Sequence, residues 1–185
     1  MLQFEKWTLE TIRSEGTGFN WLEEFRFDWT TITAQSLQSV LAGKTIVLIT
    51  DYEREWFATY ITTHLNRLSN DRPMIPIVSL EKVFPDYDRV VGGEMIDVLD
   101  DMLELSYKGD YFFWYVGRGG DKRADIAKRS SESYLWIMDE DFQNAIKLRS
   151  YDKSIDIKLI QLYQLFNATL NAMLFGEISI SDDTI

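Results

Sequence analysis

The stretch YFFWYVGRGGDKRADIAKR, from Tyr111 to Arg129, decides the fold class of this 185-residue chain. Its first part, Tyr111–Gly117, is almost continuously apolar, which is typical of a strand covered on both faces of a parallel sheet. A glycine loop follows, and then a basic segment, Lys122–Arg129, that is predicted to be helical. In α/β proteins this order often places a phosphate at the N-terminus of the helix. The stretch therefore indicates either a phosphate pocket or what remains of one.

Further short apolar runs lie on both sides of this strand, with helical segments between them. Helices are predicted at Glu53–Leu68 and Glu94–Tyr107, and the first has a clear apolar stripe at helical spacing. This alternation is typical of a doubly wound parallel sheet, here with flavodoxin-type winding. We therefore predict an α/β fold with a five-stranded parallel sheet flanked by helices. Besides Tyr111–Gly117, the predicted strands are Thr45–Thr50, Met74–Leu80, Tyr134–Met138 and Ala145–Leu148.

Helices are also predicted at both ends of the chain. Met1–Ser14 is predicted to be helical up to a glycine break, and residues 19–42 can form one long helix that ends before Gly43. The last helix is predicted from about Ser154 to Phe175. Because no linker stands out, residues 1–185 are predicted to form a single domain, with 1–42 as an N-terminal helical segment and 177–185 as a loosely held tail.

The composition argues against several kinds of site. The formal net charge is −11, so the chain should repel nucleic acid, and a role near DNA would depend on a bound protein. The absence of cysteine excludes thiol catalysis, and the single histidine, His64, is interpreted as a satisfied core residue. The N-terminus has no signal-peptide core, and no apolar run reaches about 18 residues. We therefore expect a cytoplasmic protein without a metal or cofactor.

The second predicted helix carries an unusual number of aromatic residues. Leu22, Phe25, Trp29 and Ile32 form one apolar stripe at helical spacing. Other bulky rings fall off that stripe, which indicates either a surface for a partner or a cap on the domain's own core. The spacing leaves both interpretations open. The rings off the stripe are Phe19, Trp21 and Phe27.

Two loops follow predicted strands at the edge of the sheet where ligands of such folds bind. The first, TDYEREW, has capping-box spacing between Thr50 and Glu53 but carries acidic residues that oppose phosphate binding. The second is a candidate anion loop or its remnant, although basic residues in such a position more often form a solvated helix face. The acidic run Asp139–Asp141 is interpreted as solubilising charge. The residues of this remnant anion loop are Gly117, Arg118, Gly119, Gly120 and Lys122, with Arg123 beside them.

Several segments in order resemble the sugar-isomerase (SIS) domain family, and within it the HobA and DiaA group of proteins. The likeness extends from Trp21 through the final helix and depends on the order and spacing of the segments rather than on one motif. The segments are WFATYITTHLNRLSNDRPMIPIVSL, FFWYVGR, SYLWIMDE and LIQLYQLFNATLNAML.

This resemblance implies a function as well as a fold. Members of the group are homotetramers that bind the N-terminal domain of the replication initiator DnaA and promote initiator assembly at the origin. It therefore implies a non-enzymatic adaptor that binds DnaA and other copies of itself and binds neither nucleic acid nor a membrane. The candidate partner surface lies in the second helix, and Leu174 and Phe175 join it because MLFGE resembles the Leu-Phe near the end of DiaA. Its other residues are Trp21, Glu24, Phe25 and Asp28.

The sequence departs from the sugar-binding members of the SIS family in both loops. They resemble one another in a Gly-Asn-Gly-Ser type loop after the first strand, where this chain has Thr50-Asp51-Tyr52-Glu53. Their second loop is rich in serine and threonine, which the GRGGD segment lacks. These losses remove groups that sugar chemistry requires. The alternatives to the adaptor are a phosphosugar-binding SIS domain, as a sensor or divergent isomerase, and a bare dimerising structural subunit.

Overall fold

The computed structural model describes residues 2–90 and 92–179 of the chain. A five-stranded, entirely parallel sheet forms its centre, in the order β3-β2-β4-β5-β6. This is the strand order of flavodoxin-type winding, so the predicted fold class is confirmed. The strands are β1 (Leu2–Gln3), β2 (Thr45–Thr50), β3 (Ile77–Ser79), β4 (Tyr111–Arg118), β5 (Tyr134–Met138), β6 (Ala145–Leu148) and β7 (Ile178–Ser179).

Helices cover both faces of this sheet. One layer contains the helices from the two ends of the chain together with the helix after β2, and the other contains the three helices between β3 and β5. The helices of the first layer are α1 (Phe4–Ser14), α2 (Trp21–Leu41), α3 (Glu55–Leu65) and α7 (Ile155–Leu174); those of the second are α4 (Leu80–Val83), α5 (Gly93–Tyr107) and α6 (Ala124–Lys128).

Strand β2 shows how the sequence builds two cores. Ile46 and Leu48 face the first helical layer, whereas Val47 and Ile49 face the second, because successive strand residues point to opposite faces. Both pairs are buried, which explains why the strand is apolar without alternation. The first core is rich in aromatic rings that contact one another. Its largest fully buried members include Trp29, Trp114, Trp136, Phe57 and Phe166.

Strand β3 is shorter than the sequence predicted. The predicted run Met74–Leu80 contains only three strand residues, Ile77–Ser79, and Leu80 already begins α4. Pro76 has no N–H to donate to a neighbouring strand. Its carbonyl still accepts the N–H of Ile46 at 2.9 Å, so Pro76 marks the entry to the strand.

The bounds of several helices also differ from the prediction. The long helix starts at Trp21, after a 3-10 turn at Thr17–Phe19. Helix α3 starts at Glu55 and ends at Leu65, since Tyr52–Arg54 forms another 3-10 turn. The predicted capping role of Thr50 is wrong, because the side chain of Asp51 accepts the backbone N–H of Arg54 at 3.0 Å.

The two ends of the described chain lie side by side. Leu2 and Gln3 pair with Ile178 and Ser179 as a parallel two-stranded ladder. Ile178 is buried in the first core, so the described part of the predicted tail is packed, and residues 180–185 lie outside the described residues. Within the described ranges no helix is long and apolar enough to cross a membrane.

Candidate functional site

The two candidate loops meet at the carboxyl edge of the sheet. Strands β2 and β4 are neighbours, with Thr50 at the end of β2 opposite Val116, and β4 continues for two more residues to Arg118. The loop after β2 brings Asp51 and Glu53, and the end of β4 with the turn after it brings Gly117–Gly120. The sequence predicted that both loops lie at the ligand-binding edge of the sheet, and the structure places them in direct contact.

Asp51 occupies the centre of this contact. Only 3% of its surface is exposed. One carboxylate oxygen accepts the backbone N–H of Arg54 at 3.0 Å, and the other accepts the backbone N–H of Arg118 at 2.8 Å and the Arg54 guanidinium at 3.1 Å. Burial raises the pKa of Asp51, against the lowering effect of the Arg118 N–H and of Arg54. The carboxylate of the chain itself thus binds the loop backbone where an anion cradle would bind a ligand.

Both basic side chains predicted to bind an anion already have a partner within the chain. The Arg118 guanidinium lies 3.0 Å from Glu53, on the neighbouring loop, and 3.9 Å from Asp139. The Lys122 ammonium contacts the backbone carbonyl of Asp88. Neither predicted anion-binding side chain is therefore held ready for a ligand.

Two further basic side chains, those of Arg123 and Lys128, form ion pairs beside the loop. Arg123 is buried and pairs with Asp88 at 2.7 Å and with Glu55 at 3.3 Å. Lys128 lies 2.7 Å from Glu140 and donates to the Gly119 carbonyl at 2.6 Å. The interpretation of the Asp139–Asp141 run as mere solubilising charge is therefore wrong for its first two members, because both pair with basic residues of this region.

Two of the three glycines of the loop, Gly117 and Gly119, are required by close packing of the chain against itself. A Cβ atom at Gly117 would lie 2.6 Å from the Tyr115 hydroxyl and 2.8 Å from Cγ of Asp51. At Gly119 it would collide with Glu140, whereas at Gly120 it would meet nothing within 4 Å. The glycine pattern that resembled a phosphate loop is thus explained by contacts with Asp51 and Glu140.

The four candidate residues of α2 form one continuous surface. Trp21, Glu24, Phe25 and Asp28 follow the spacing i, i+3, i+4 and i+7, which places them on one face of the helix. Glu24 and Asp28 are exposed, and the two rings are half-buried with centroids 6.3 Å apart. The Trp21 indole N–H donates to Gln161 at 2.8 Å, and Lys158 lies 4.8 Å from its ring. Helix α7 therefore holds Trp21 in place, and the two carboxylates are exposed to solvent.

The aromatic rings that lie off the stripe of α2 differ in burial. Phe19 is buried in the first core, as the capping interpretation requires. Phe27 is half exposed, with the Arg26 guanidinium 4.0 Å from its ring centroid. Phe19 therefore agrees with the capping interpretation, and for the exposed Phe27 a partner surface stays a prediction.

Leu174 and Phe175 belong to a separate surface. Leu174 is half-buried against the first core, and 58% of Phe175 is exposed at the end of α7. Thirteen residues separate Leu174 from Gln161, the residue that contacts Trp21, which corresponds to about 20 Å along the helix. The structure thus divides the candidate partner residues into two patches.

The comparisons with known proteins agree over nearly the whole chain. A family described as "HobA: DNA replication regulator" matches residues 1–180. The DNA replication regulator protein HobA of Helicobacter pylori is 27% identical over 188 residues, which cover 97% of this chain and 100% of that protein.

Two solved structures from Helicobacter pylori have the same fold. A crystal structure of a HobA–DnaA (domain I–II) complex matches with a TM-score of 0.76 and 26% identity, covering 97% of this chain and 100% of that one. A crystal structure of HobA matches with a TM-score of 0.74 and 26% identity, covering 97% and 99%.

Proposed function

Because this chain belongs to the HobA family of DNA replication regulators, we propose that it binds the N-terminal domain of the initiator DnaA as a non-enzymatic adaptor. The observation that carries the proposal is the full-length match to the HobA chain of a HobA–DnaA (domain I–II) complex. Domain I–II is the N-terminal part of DnaA, which is the partner that the sequence resemblance implied.

The proposed adaptor is a homotetramer that gathers several initiators on one rigid frame. Linking binding sites in this way raises the effective concentration of the bound molecules without a new contact between them. Such a mechanism suits a chain with a net charge of −11, since the adaptor then promotes assembly on DNA without binding DNA.

The face of α2 formed by Trp21, Glu24, Phe25 and Asp28 is the proposed contact with DnaA. It combines Trp21, which α7 holds in place, and the half-buried Phe25 with exposed carboxylates. Aromatic anchors are common at the centre of protein interfaces, and charged residues are common at the rim. Phe175 and Leu174, about 20 Å away along α7, form a second proposed contact.

The geometry of the glycine loop favours this proposal over a phosphosugar site. A phosphate would have to displace the Asp51 carboxylate from the Arg118 N–H and compete with Glu53 for the Arg118 guanidinium. Two carboxylates at the mouth of the loop repel an anion, so the alternative function has no observation in its favour.

The test is multi-angle light scattering on size-exclusion fractions, with and without the purified N-terminal domain of DnaA. We expect the protein alone to have four times the mass of a 21.7 kDa chain, and the mass to increase when the domain is added. A tetramer that gains no mass would contradict DnaA binding, and a monomer that gains mass would contradict only the tetramer.

A further inference from the structure

Helix α5 carries two parallel rows of apolar residues, and only one of them is buried. Ile96, Leu99 and Leu103 face the sheet in the second core. A second row is exposed on the protein surface. Its residues follow one another at intervals of three, four and three, which is the spacing of a helix–helix seam. Its members and their exposed fractions are Met95 (44%), Val98 (59%), Met102 (45%) and Leu105 (83%).

This exposed row borders an apolar groove. The opposite wall is the segment that follows α4, which contributes Phe84 and Val90. Together with α5 these residues enclose a cavity of about 480 Å³. Scattered apolar side chains on a surface need no explanation, but a continuous row along a groove is typical of an interaction site. Two of the lining residues are methionines, whose flexible side chains adapt to a partner.

The charge on the α5 side of the groove has one sign, and on the opposite wall Arg89, beside Val90, pairs with Asp86. Helix α5 contains five carboxylates and neither lysine nor arginine between Gly93 and Tyr107. Of the five, Asp97 pairs with Arg129, which directly follows α6. Glu94 lines the groove itself, and Asp101 is exposed one helical turn or less from Val98 and Met102. The five are Glu94, Asp97, Asp100, Asp101 and Glu104.

We propose that this face of α5 binds a cationic amphipathic helix of a partner protein. The row from Met95 to Leu105 is about 15 Å long, which suits about three turns of a helix that places its apolar residues in the groove. Lysine or arginine residues along its edge would meet Glu94 and Asp101. A second copy of this chain fits less well, because it would bring the same carboxylates against each other.

This surface is independent of the proposed DnaA contact. Helix α5 packs on one face of the sheet, and α2 and α7 pack on the other. Loss of one interaction should therefore leave the other unchanged, and the two proposals can fail separately.

The test uses the full chain and a fluorescein-labelled 15-residue helical peptide of leucine and lysine, with the leucines on one face. A permuted peptide of the same composition, with leucines all around the helix, is the control for charge alone. By fluorescence anisotropy at physiological salt, we expect at least tenfold tighter binding of the amphipathic peptide.

Two double variants divide the proposed contact into its parts. V98S/M102S removes the apolar row and is expected to weaken peptide binding at least tenfold; E94Q/D101N removes the charges and is expected to weaken it about fivefold. The matched controls are I157S and D156N on α7, where Ile157 and Asp156 are also exposed, and they should bind as the parent protein does. Circular dichroism checks that every variant is folded.

Three results would overturn the proposal. Equal binding of both peptides would mean attraction by net charge alone. Equal binding by V98S/M102S and the parent protein would place the peptide elsewhere. A fall in the mass of the protein in light scattering on V98S/M102S substitution would show that a second copy covers this face.

Discussion

The carboxylate of Asp51 accepts the backbone N–H of Arg118 at 2.8 Å, across two loops that are 67 residues apart in the chain. This one bond joins the end of β2 to the glycine loop after β4. It also gives an internal acceptor to a backbone N–H that a phosphate-binding loop would offer to its ligand. The contact therefore links the stability of this edge of the sheet to the loss of an anion site.

Replacement of Asp51 by alanine should destabilise the protein. The Arg118 N–H and the buried Arg54 guanidinium would lose an acceptor, although Arg54 keeps its contact with Glu53 at 2.7 Å. We expect the free energy of unfolding to fall by about 2–3 kcal/mol, measured by urea denaturation. Asp156→Ala, at an exposed position of α7, is the control and should have little effect.

The raised pKa of Asp51 predicts a pH dependence of stability. Since burial raises this pKa in the folded state above the ordinary value of 3.8, the folded protein holds the proton more tightly than the unfolded chain. The part of the stability that comes from this difference in pKa is therefore fully present below about pH 3.8 and is lost as the pH rises through the folded pKa of Asp51. The hydrogen bonds that Asp51→Ala removes are a separate contribution.

Comparison with Asp51→Asn isolates this contribution, because asparagine stays neutral. The free energy of unfolding of the variant minus that of the parent should increase with pH across this window and then become constant. Urea titrations from about pH 3.5 to about pH 7 measure it. If this difference in the free energy of unfolding decreased with pH, the pKa of Asp51 would not be raised in the folded protein.

Gly117 and Gly120 offer a matched test of the packing in the loop. Alanine at Gly117 would place its Cβ 2.6 Å from the Tyr115 hydroxyl and 2.8 Å from Cγ of Asp51, so we expect a loss of about 1–3 kcal/mol. At Gly120 the same change meets no atom within 4 Å and should alter stability by less than about 0.5 kcal/mol. Thermal unfolding of both variants checks the difference; equal effects would mean that the loop relaxes around the new methyl group.

Arg72 is predicted to hold the end of α3 against α7. Its guanidinium donates to the carbonyl of Leu65 at 2.7 Å and to the side chains of Asn167 and Asn171 at 2.7 and 2.6 Å. Arg72→Lys cannot reproduce this fork, so we expect a loss of about 2 kcal/mol. The control is Arg89→Lys, at an exposed arginine with one surface ion pair, which should change the urea midpoint little.

The two candidate patches for DnaA can be separated by mutation. Charge reversal by E24K/D28K should weaken binding of the DnaA N-terminal domain about tenfold or more, because both carboxylates are exposed on the face of α2 that carries Trp21. Phe175→Ala should weaken it independently, since the ring is 58% exposed. Isothermal titration calorimetry measures both affinities. Asp156→Lys makes one such charge reversal elsewhere and should leave the affinity nearly unchanged. A folded variant that binds as the parent does would remove its patch from the interface.

The strands and the two helical layers could be predicted because their signals are local. A strand such as β2 or β4 that is buried on both faces must be apolar at successive positions, and the helices between strands must carry an apolar stripe. Backbone geometry imposes these periods whatever the rest of the chain does. The errors fell at boundaries, as at Pro76 and Asp51, where a single hydrogen bond decides which residue begins the element.

The sequence by itself determined the α/β class, the parallel sheet and the residues of the glycine loop. Only the tertiary structure decided that Asp51 fills that loop, that Trp21 and Phe175 lie on different patches, and that one of two apolar rows of α5 remains exposed. The physical reason is that each of these depends on distances between residues remote in the chain. The sequence shows where apolar and charged side chains recur along an element. The packing of the elements determines which residues those side chains contact.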